Sequence, residues 1–557
     1  MQLKGNRWFT LLITSLGFLM ILIDTTIVNV SIPTIVRDLG ATLADIEWVI
    51  SGYALTFAAF LITFGRLGDM YGRKKFFILG MLVFILSSAF AGEARSPEIL
   101  IIARLFQGIG GAMISPSTLS LISSTFRGRE RAIAFGIWGA VAGVAVAIGP
   151  ILGGYFTTYQ TWRWIFRVNI PVGLLAILAA WYFIAESKED RKQKLDLSGM
   201  ATSAIGFFFL VFALIEGQTY GWLSPIKNFS ALGYTWANQH ISIIPIALEL
   251  ALIFLTAFLA IEYYKTVKRL DPAININFFN FKSYRYGLVA IAVISLGEFS
   301  SLFTLPVFLQ SIKGFSPIKS GAAVLPLALA TFISAPLSAR LVNKIGTKWV
   351  ITGGVTLEFV GLFWLSFLKT DLTYPHLIGP LILLGAGIGL AISQNTQVIL
   401  SEIPPQESGS ASGVLNTLRQ IGSALGIAIV GAVLASRLTV NLTDKINAIP
   451  TLPVQVKQSI IDKAGASSIQ INSDNTVFQP QIPDGIQNNP AALEQFRQSE
   501  LTTANKVDSA IKTSLTNSIS TSMRVGSLFV LLGALLSLLI PNVKPHPQEP
   551  EQTTPIH

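Results

Sequence analysis

The chain contains fourteen mostly apolar runs, each close to the about 20 residues that a helix needs to cross a membrane. Lipid offers no water to backbone N–H and C=O groups, so each run must satisfy its own backbone, as a helix does. The runs fall near 8–30, 46–64, 76–92, 98–123, 132–156, 165–185, 196–216, 242–264, 283–304, 318–339, 348–368, 375–395, 408–436 and 522–541. With 51% hydrophobic and only 13% charged residues in 557, the fold class is an all-α polytopic membrane protein. The first run follows Lys4 and Arg7 as a secretory signal would. It continues through Asp24 without a small-residue cleavage site, so it reads as a retained span. The sequence has no cysteine, which excludes disulfides, thiolate nucleophiles and thiolate metal sites. His240, His376, His546 and His557 fall in loops or the tail, so no metal or other cofactor is expected inside the membrane.

Orientation follows from the forty Lys and Arg, because positive residues in short loops stay on the cytoplasmic side. With both ends cytoplasmic, the inner segments hold twenty-two of them and the short outer loops eight. The long segment 437–524 holds another eight and is of a length exempt from the rule. The net charge of +10 is thereby accounted for by orientation, and nucleic acid is not an expected partner.

The sequence also repeats itself. At an offset of 274, Arg66, Leu67, Gly72 and Lys74 fall on Arg340, Leu341, Gly346 and Lys348. At 277, Gly136, Gly149 and Gly154 fall on Gly413, Gly426 and Gly431. Both sets pair the same ordinal spans of two six-helix halves and leave spans seven and eight between them. The expected organisation is a six-helix bundle in 1–190, two inserted spans in 191–270 and a second bundle in 271–541. That second bundle carries a polar external excursion at 437–521, with a helical-looking run from Ala491 to Ser522, and a tail follows at 542–557. Parallel repeats of this kind occur in transporters that rock about a central site. Segment 217–241, with Tyr220, Trp222, Phe229, Tyr234 and Trp236, suits a loop or hairpin at the outer interface.

Six motifs in order carry a resemblance. The loop after the second span reads GRLGDMYGRKK and the first span ILIDTTIVNVSIPTI. The fourth reads RLFQGIGGAMISP, the fifth GAVAGVAVAIGPILGG, the sixth opens WRWIFRVNIP, and the thirteenth reads SGVLNTLRQIGSALG. Together they resemble the fourteen-span drug:proton antiporter branch of the major facilitator superfamily. The sixth-span motif departs from the family pattern at Arg167, and the tenth span has no acid.

Ionisable residues inside spans cost about 2.5–3.5 kcal/mol each on insertion scales, so each is a functional candidate. Asp24 is the foremost, since a desolvated carboxylate can load and release a proton, and the resemblance places the family's proton-linked acid there. Adding the repeat offset gives Glu298 in the ninth span, a candidate second proton carrier or partner for a substrate's positive charge, with both acids expected at a central cavity. Arg104 and Arg419 are the intramembrane cations; Arg104 is expected either to answer Asp24 when the proton leaves or to serve as a structural hydrogen-bond anchor. Glu358 is expected on a peripheral helix, and Glu249 in a structural or lipid-facing position. In the fifth span Gly139, Gly143, Ala147, Pro150 and Gly154 share a face that lets another backbone approach. The resemblance makes this stretch, with Gly149 and Gly153, the antiporter helix. Gly65, Arg66, Asp69, Gly72, Arg73 and Lys74 are the candidate cytoplasmic gating loop, in which Arg66, Arg73, Lys74 and Lys75 hold the topology. Only the first half keeps the acid, since Asn343 replaces it in the second. Asp69 with Arg73 is therefore expected to cap or bridge across the halves as a cytoplasmic latch.

The resemblance implies a proton-coupled exporter of drugs or other lipophilic small molecules, driven by the proton gradient within membrane lipid and without nucleotide. A transporter of lipid-like substrates is the alternative. A sensor or membrane enzyme would need a signalling domain or catalytic constellation, and the loops offer neither.

Overall fold

The computed structural model describes residues 7–461 and 490–542, apart from 42, 189–193, 232–233, 237–239, 451, 453, 455 and 459. The tail after 542 and residues 462–489 of the polar excursion lie outside the described residues. Among the described residues, twelve helices are long and apolar enough to cross a membrane.

The first half comprises α1 (Arg7–Leu39), α2 (Leu43–Tyr71), α3 (Arg73–Gly92), α4 (Pro97–Thr125), α5 (Gly128–Tyr159), the short α6 (Trp164–Arg167) and α7 (Asn169–Phe183). The inserted pair is α8 (Leu197–Tyr220) and α9 (Ile243–Val267), joined through the antiparallel strands β1 (Phe229–Ala231) and β2 (Tyr234–Trp236). The remainder is α10 (Lys282–Val307), α11 (Pro317–Ala323), α12 (Leu325–Ile345), α13 (Thr347–Leu365), α14 (Pro375–Ile399), α15 (Ser408–Asn447) and α16 (Pro490–Ser537).

Helix ends follow local chemistry. Ser96 caps α4 by accepting the Ile99 N–H, with Pro97 in the first turn. Ser316 does the same for α11 with Pro317. Between α2 and α3 the chain turns through Gly72 at φ +123°, where an added Cβ would meet the Glu186 carboxylate at 2.7 Å. Gly346, its partner in the repeat, separates α12 from α13 at φ +90°. Only glycine adopts such backbone without strain, which is why both loops keep it.

The repeat is also built into the packing. Without a hydrophobic driving force in lipid, helices associate through close backbone contact at small residues. A Cβ on Gly80 of α3 would lie 3.0 Å from the Gly110 carbonyl oxygen of α4. Gly354 of α13 stands in the same relation to Gly387 of α14, again at 3.0 Å. The same crossing is therefore made twice.

Within the first half α1 packs on α5, α4 and α7, and α4 packs on α2 and α3. In the second, α14 packs on α12 and α13, and α10 on α15 and α16. The halves meet where α15 lies on α2 and α4, and where α5 lies on α11, α12 and α14. The inserted pair attaches through α8, which packs on α2 and α15, while α9 packs chiefly on α8. Phe18, Ile62, Trp138, Ile291, Ile399 and Leu415, drawn from both halves, form one buried apolar cluster. Its strongest ring contact is Phe18 stacked on Trp138, 4.3 Å between centroids.

One element differs from the sequence reading: α15 continues past 436 to Asn447. The helical-looking run expected from Ala491 is helix from Pro490 and is continuous with the last span as α16, so the excursion opens and closes as extensions of membrane helices. Leu442, Ile446, Val507 and Ile511 give these extensions their own small core. The apolar spacing at 438, 442 and 446 continues the helical period, which average polarity concealed.

Candidate functional site

Asp24 of α1 is fully buried and is held by three side chains from two other helices, α4 and α7. Its Oδ2 accepts from Arg104 Nη1, and its Oδ1 accepts from Gln107 Nε2 and Asn169 Nδ2, each at 3.0 Å. Arg104 and Gln107 stand three apart on α4 and so share a face; Arg104 Nη1 also donates to Gln107 Oε1 at 2.8 Å. Ser88 of α3 accepts from both amides. Arg104 Nε donates to the Val49 carbonyl of α2 at 3.1 Å, and its guanidinium lies 4.4 Å over the Tyr53 ring. The result is a charge-balanced pair with its remaining hydrogen-bonding capacity met by neutral amides, the condition under which a buried ion pair is tolerated.

Glu298 lies elsewhere. It lines a small cavity with Ser295 of α10, Glu358 of α13, Asn395 of α14 and Arg419 of α15, closed by aliphatic residues of α10 and α14. All of its walls come from the second half, so the two repeat-related acids do not share a cavity. Glu358 lies on α13, which packs within the second half and exposes Trp349, Phe363 and Trp364, as a peripheral helix would. The residue itself turns inward: it is 1% exposed and interacts electrostatically with both Glu298 and Arg419. The packing is the reason: α13 is pressed onto α14 so closely that a Cβ on Gly387 would sit 2.4 Å from the Glu358 nitrogen. Glu249, by contrast, is exposed on α9.

On the positive-rich side, Asp69 at the end of α2 accepts the backbone N–H groups of Gly409 at 3.0 Å and Ser410 at 2.8 Å. An acid of the first half thus caps α15 of the second, where the helix N-terminus favours negative charge. Arg73 is paired with Asp69 at 2.7 Å and donates to the carbonyls of Pro405 and Gln406. Ser120 of α4 is bonded to Ser408 at 3.0 Å. Gly65 permits this approach, since a Cβ there would lie 2.4 Å from the Gly409 oxygen. Arg66 is buried nearby, and Lys74 turns away to donate to the Trp181 carbonyl at 2.7 Å. A second tie, not anticipated from sequence, runs from Arg131 of α5 to the Leu400 carbonyl at 2.8 Å.

The small-residue face of α5 abuts the second half. A Cβ on Gly139 would lie 3.1 Å from Ser393, and one on Gly154 would lie 2.4 Å from Ile318. Pro150 is met by Gly321, whose added Cβ would lie 3.0 Å away. Gly149 instead faces Thr26 of α1, and the Gly153 carbonyl accepts from Thr157 at 2.6 Å. Gly143 lies within α5, but its surroundings fall outside the described residues.

Comparison with known proteins agrees with this architecture. The sequence profile of the Major Facilitator Superfamily matches residues 14–427. The chain belongs to this superfamily. Within it, the chain is similar to multidrug-resistance transporters. It is 32% identical over 466 residues to multidrug resistance protein Stp of Mycobacterium tuberculosis, covering 83% of each chain. It is 32% identical to the tetracenomycin C resistance and export protein of Streptomyces glaucescens, over 80% of this chain and 79% of that one. It is 29% identical to the multidrug transporter protein MdtP of Bacillus subtilis, over 96% and 93%. The fold is also that of the human organic anion transporter MFSD10 (TETRAN), with a TM-score of 0.55 at 14% identity, over 77% of this chain and 94% of that one.

As a major facilitator, the chain is a multi-pass membrane transporter and not an enzyme. Among its described residues no group of three or more His, Asp or Glu is placed to hold a metal. Sequence reasoning located Asp24 and Arg104 but missed Gln107, Ser88 and Asn169. Gln107 was legible as the residue one helical turn beyond Arg104, whereas Ser88 and Asn169 carry no local signal.

Proposed function

We propose that this major facilitator is a fourteen-span proton-coupled antiporter that exports lipophilic small molecules by alternating access. In this reading α5, with 32 residues, and α10, with 26, also cross the membrane, and the six-plus-two-plus-six organisation holds. The positive-rich side faces the cytoplasm. The names of the relatives support a drug-like substrate, which enters from the cytoplasm or inner leaflet.

The observation that carries this reading is the buried Asp24–Arg104 pair, tied to α2 through Val49. A proton reaching Asp24 from outside removes the charge that Arg104 answers. Arg104 keeps its bonds to Gln107 and Val49, so the tie from α4 to α2 survives while that to α1 loosens. α2 is the helix whose far end carries Asp69, the cap on α15. Binding at one level and opening at the other thus share an element with two arrangements. The Asp69 and Arg73 bonds close the cytoplasmic side, and contacts between α5 and α11 close the other. Both sets are formed together in this arrangement, and rocking opens one at a time.

The driving force is adequate. One proton moving down 100 mV yields about 2.3 kcal/mol, and each pH unit adds about 1.4 kcal/mol.

The test is reconstitution in liposomes with an imposed pH gradient, following ethidium as a lipophilic cation together with internal pH. Wild type exchanges one for the other, and Asp24→Asn binds ethidium but loses pH-driven transport. Undiminished pH-driven accumulation by that variant would remove Asp24 from the coupling role.

A further inference from the structure

The cavity around Glu298 differs from the Asp24 network in charge and in satisfaction. Asp24 has one carboxylate and one guanidinium, and three side chains bond it. The second-half cavity brings two carboxyls, Glu298 and Glu358, to the single guanidinium of Arg419. With both ionised, a surplus negative charge is buried, and like charges in a desolvated site cannot both persist unaided. Glu358 Oε1, Asn395 Oδ1 and Ser295 Oγ line this cavity without a hydrogen-bond partner among the described residues. Two of these atoms are acceptors that lack a donor, and Glu358 and Asn395 are each 1% exposed.

Among the described residues no neighbouring helix supplies the missing positive charge. α14 contributes Asn395, and its ionisable residue, His376, is bonded to Thr373 near the start of that helix. On α16, Arg524 lies 5.3 Å over the Phe367 ring. Arg340 and Lys344 of α12 stand in its last turns, and α15 offers Arg419 itself. Nor does packing require an acid at this position. At the repeat offset of 274, Glu358 corresponds to Phe84, which makes the equivalent α3–α4 crossing and is fully buried. The cavity measures about 10 Å³, room for one water and far too little for a drug.

We propose that Glu358 is a proton-binding residue, the centre of a second exchangeable proton site that Glu298, Glu358 and Arg419 build inside the second half. One proton neutralises the surplus charge and gives the unpartnered Asn395 carbonyl or a cavity water a donor. It arrives from water, binds a carboxyl oxygen of Glu358 and leaves from that oxygen, with no other bond made or broken. Its use in transport rests on the antiport reading; its occupancy does not.

The test is difference infrared spectroscopy of the purified full-length protein in lipid vesicles, following the carboxylic-acid C=O stretch through a pH titration in H₂O and D₂O. Wild type and Asp24→Asn show a titrating band that Glu358→Gln loses. Glu358→Asp retains the band at a displaced frequency and midpoint, which keeps the test decisive if the glutamine variant misfolds. Glu298→Gln removes the surplus charge and weakens the band. Wild-type spectra in which Glu358→Gln or Glu358→Asp changes no carboxylic-acid band would overturn the proposal. Wild type that shows the band but no pH-driven ethidium exchange would overturn the antiport reading alone.

Discussion

Asp69 of the first half accepts the backbone N–H of Ser410 in the second at 2.8 Å, so the two halves are joined through the start of a helix rather than through side chains alone. The same carboxylate holds Arg73, which reaches on to the Gln406 carbonyl at 2.8 Å. Asp69→Asn retains the shape but loses the charge. Hydrogen bonds to charged groups contribute about 1.5–3 kcal/mol, so losing about 2 kcal/mol should depopulate the closed arrangement about thirtyfold. Because the chain has no native cysteine, labelling of a single Ser412→Cys probe measures this directly. Ser412 is fully buried at the interface, and its labelling should accelerate in the Asp69→Asn background. An unchanged labelling rate would leave these residues with a topological role only.

Gly65 should be as sensitive as Asp69, for a steric reason. Its α-carbon faces the Gly409 carbonyl so closely that a methyl would lie 2.4 Å from the oxygen, and a backbone atom cannot rotate away. Gly65→Ala therefore separates α2 from α15 on the cytoplasmic side while leaving Asp69 chemically intact. The same Ser412→Cys probe should report faster labelling, together with lower transport. If the alanine variant labels like wild type, the close approach is not required for closure.

Arg104→Gln leaves a buried Asp24 without its cation. Removing one partner of a buried pair costs about 3–5 kcal/mol, which should appear as a large loss of thermal stability in detergent. Asp24→Asn combined with Arg104→Gln should recover most of that stability, because the uncompensated charge is gone. It should not recover pH-driven transport. Restored transport in the double variant would show that the pair serves packing rather than coupling.

Asp196 offers a pH signature outside the membrane. Burial pushes its carboxyl up, but Lys265, the Gly199 N–H and Ser198 outweigh that and hold it below its ordinary 3.8. A carboxyl depressed in the folded state stabilises the protein above its unfolded value, and that contribution fades as pH falls through the folded one. Asp196→Asn keeps the cap on α8 and loses the Lys265 pair, at a cost of up to about 1 kcal/mol. Melting curves of the two proteins should differ at pH 7 and converge below about pH 3.8. A gap that persists undiminished at low pH would assign the effect to packing instead.

Much of the fold was legible before any coordinates, because lipid leaves a spanning backbone one solution and writes it as long apolar runs. Gly72 and Gly346 were legible as repeat partners because both must turn at positive φ. The extension of α15 to Asn447 was not, since its apolar residues occupy one face only and average out as polar.

By itself the sequence determined the helices, the sidedness written in Lys and Arg, the internal repeat, and the candidacy of Asp24, Arg104, Glu298 and Asp69. Tertiary structure decided which of these meet. It set Asp24 against Asn169, 145 residues away, and Asp69 against Ser410, 341 residues away. It also turned Glu358, on a helix at the edge of the second half, inward to the cavity that Arg419 lines. The physical reason is that a charge inside a membrane must find its partner across helices. Helical periodicity fixes which face a residue occupies, but only the packing of glycine against backbone fixes which helix that face meets.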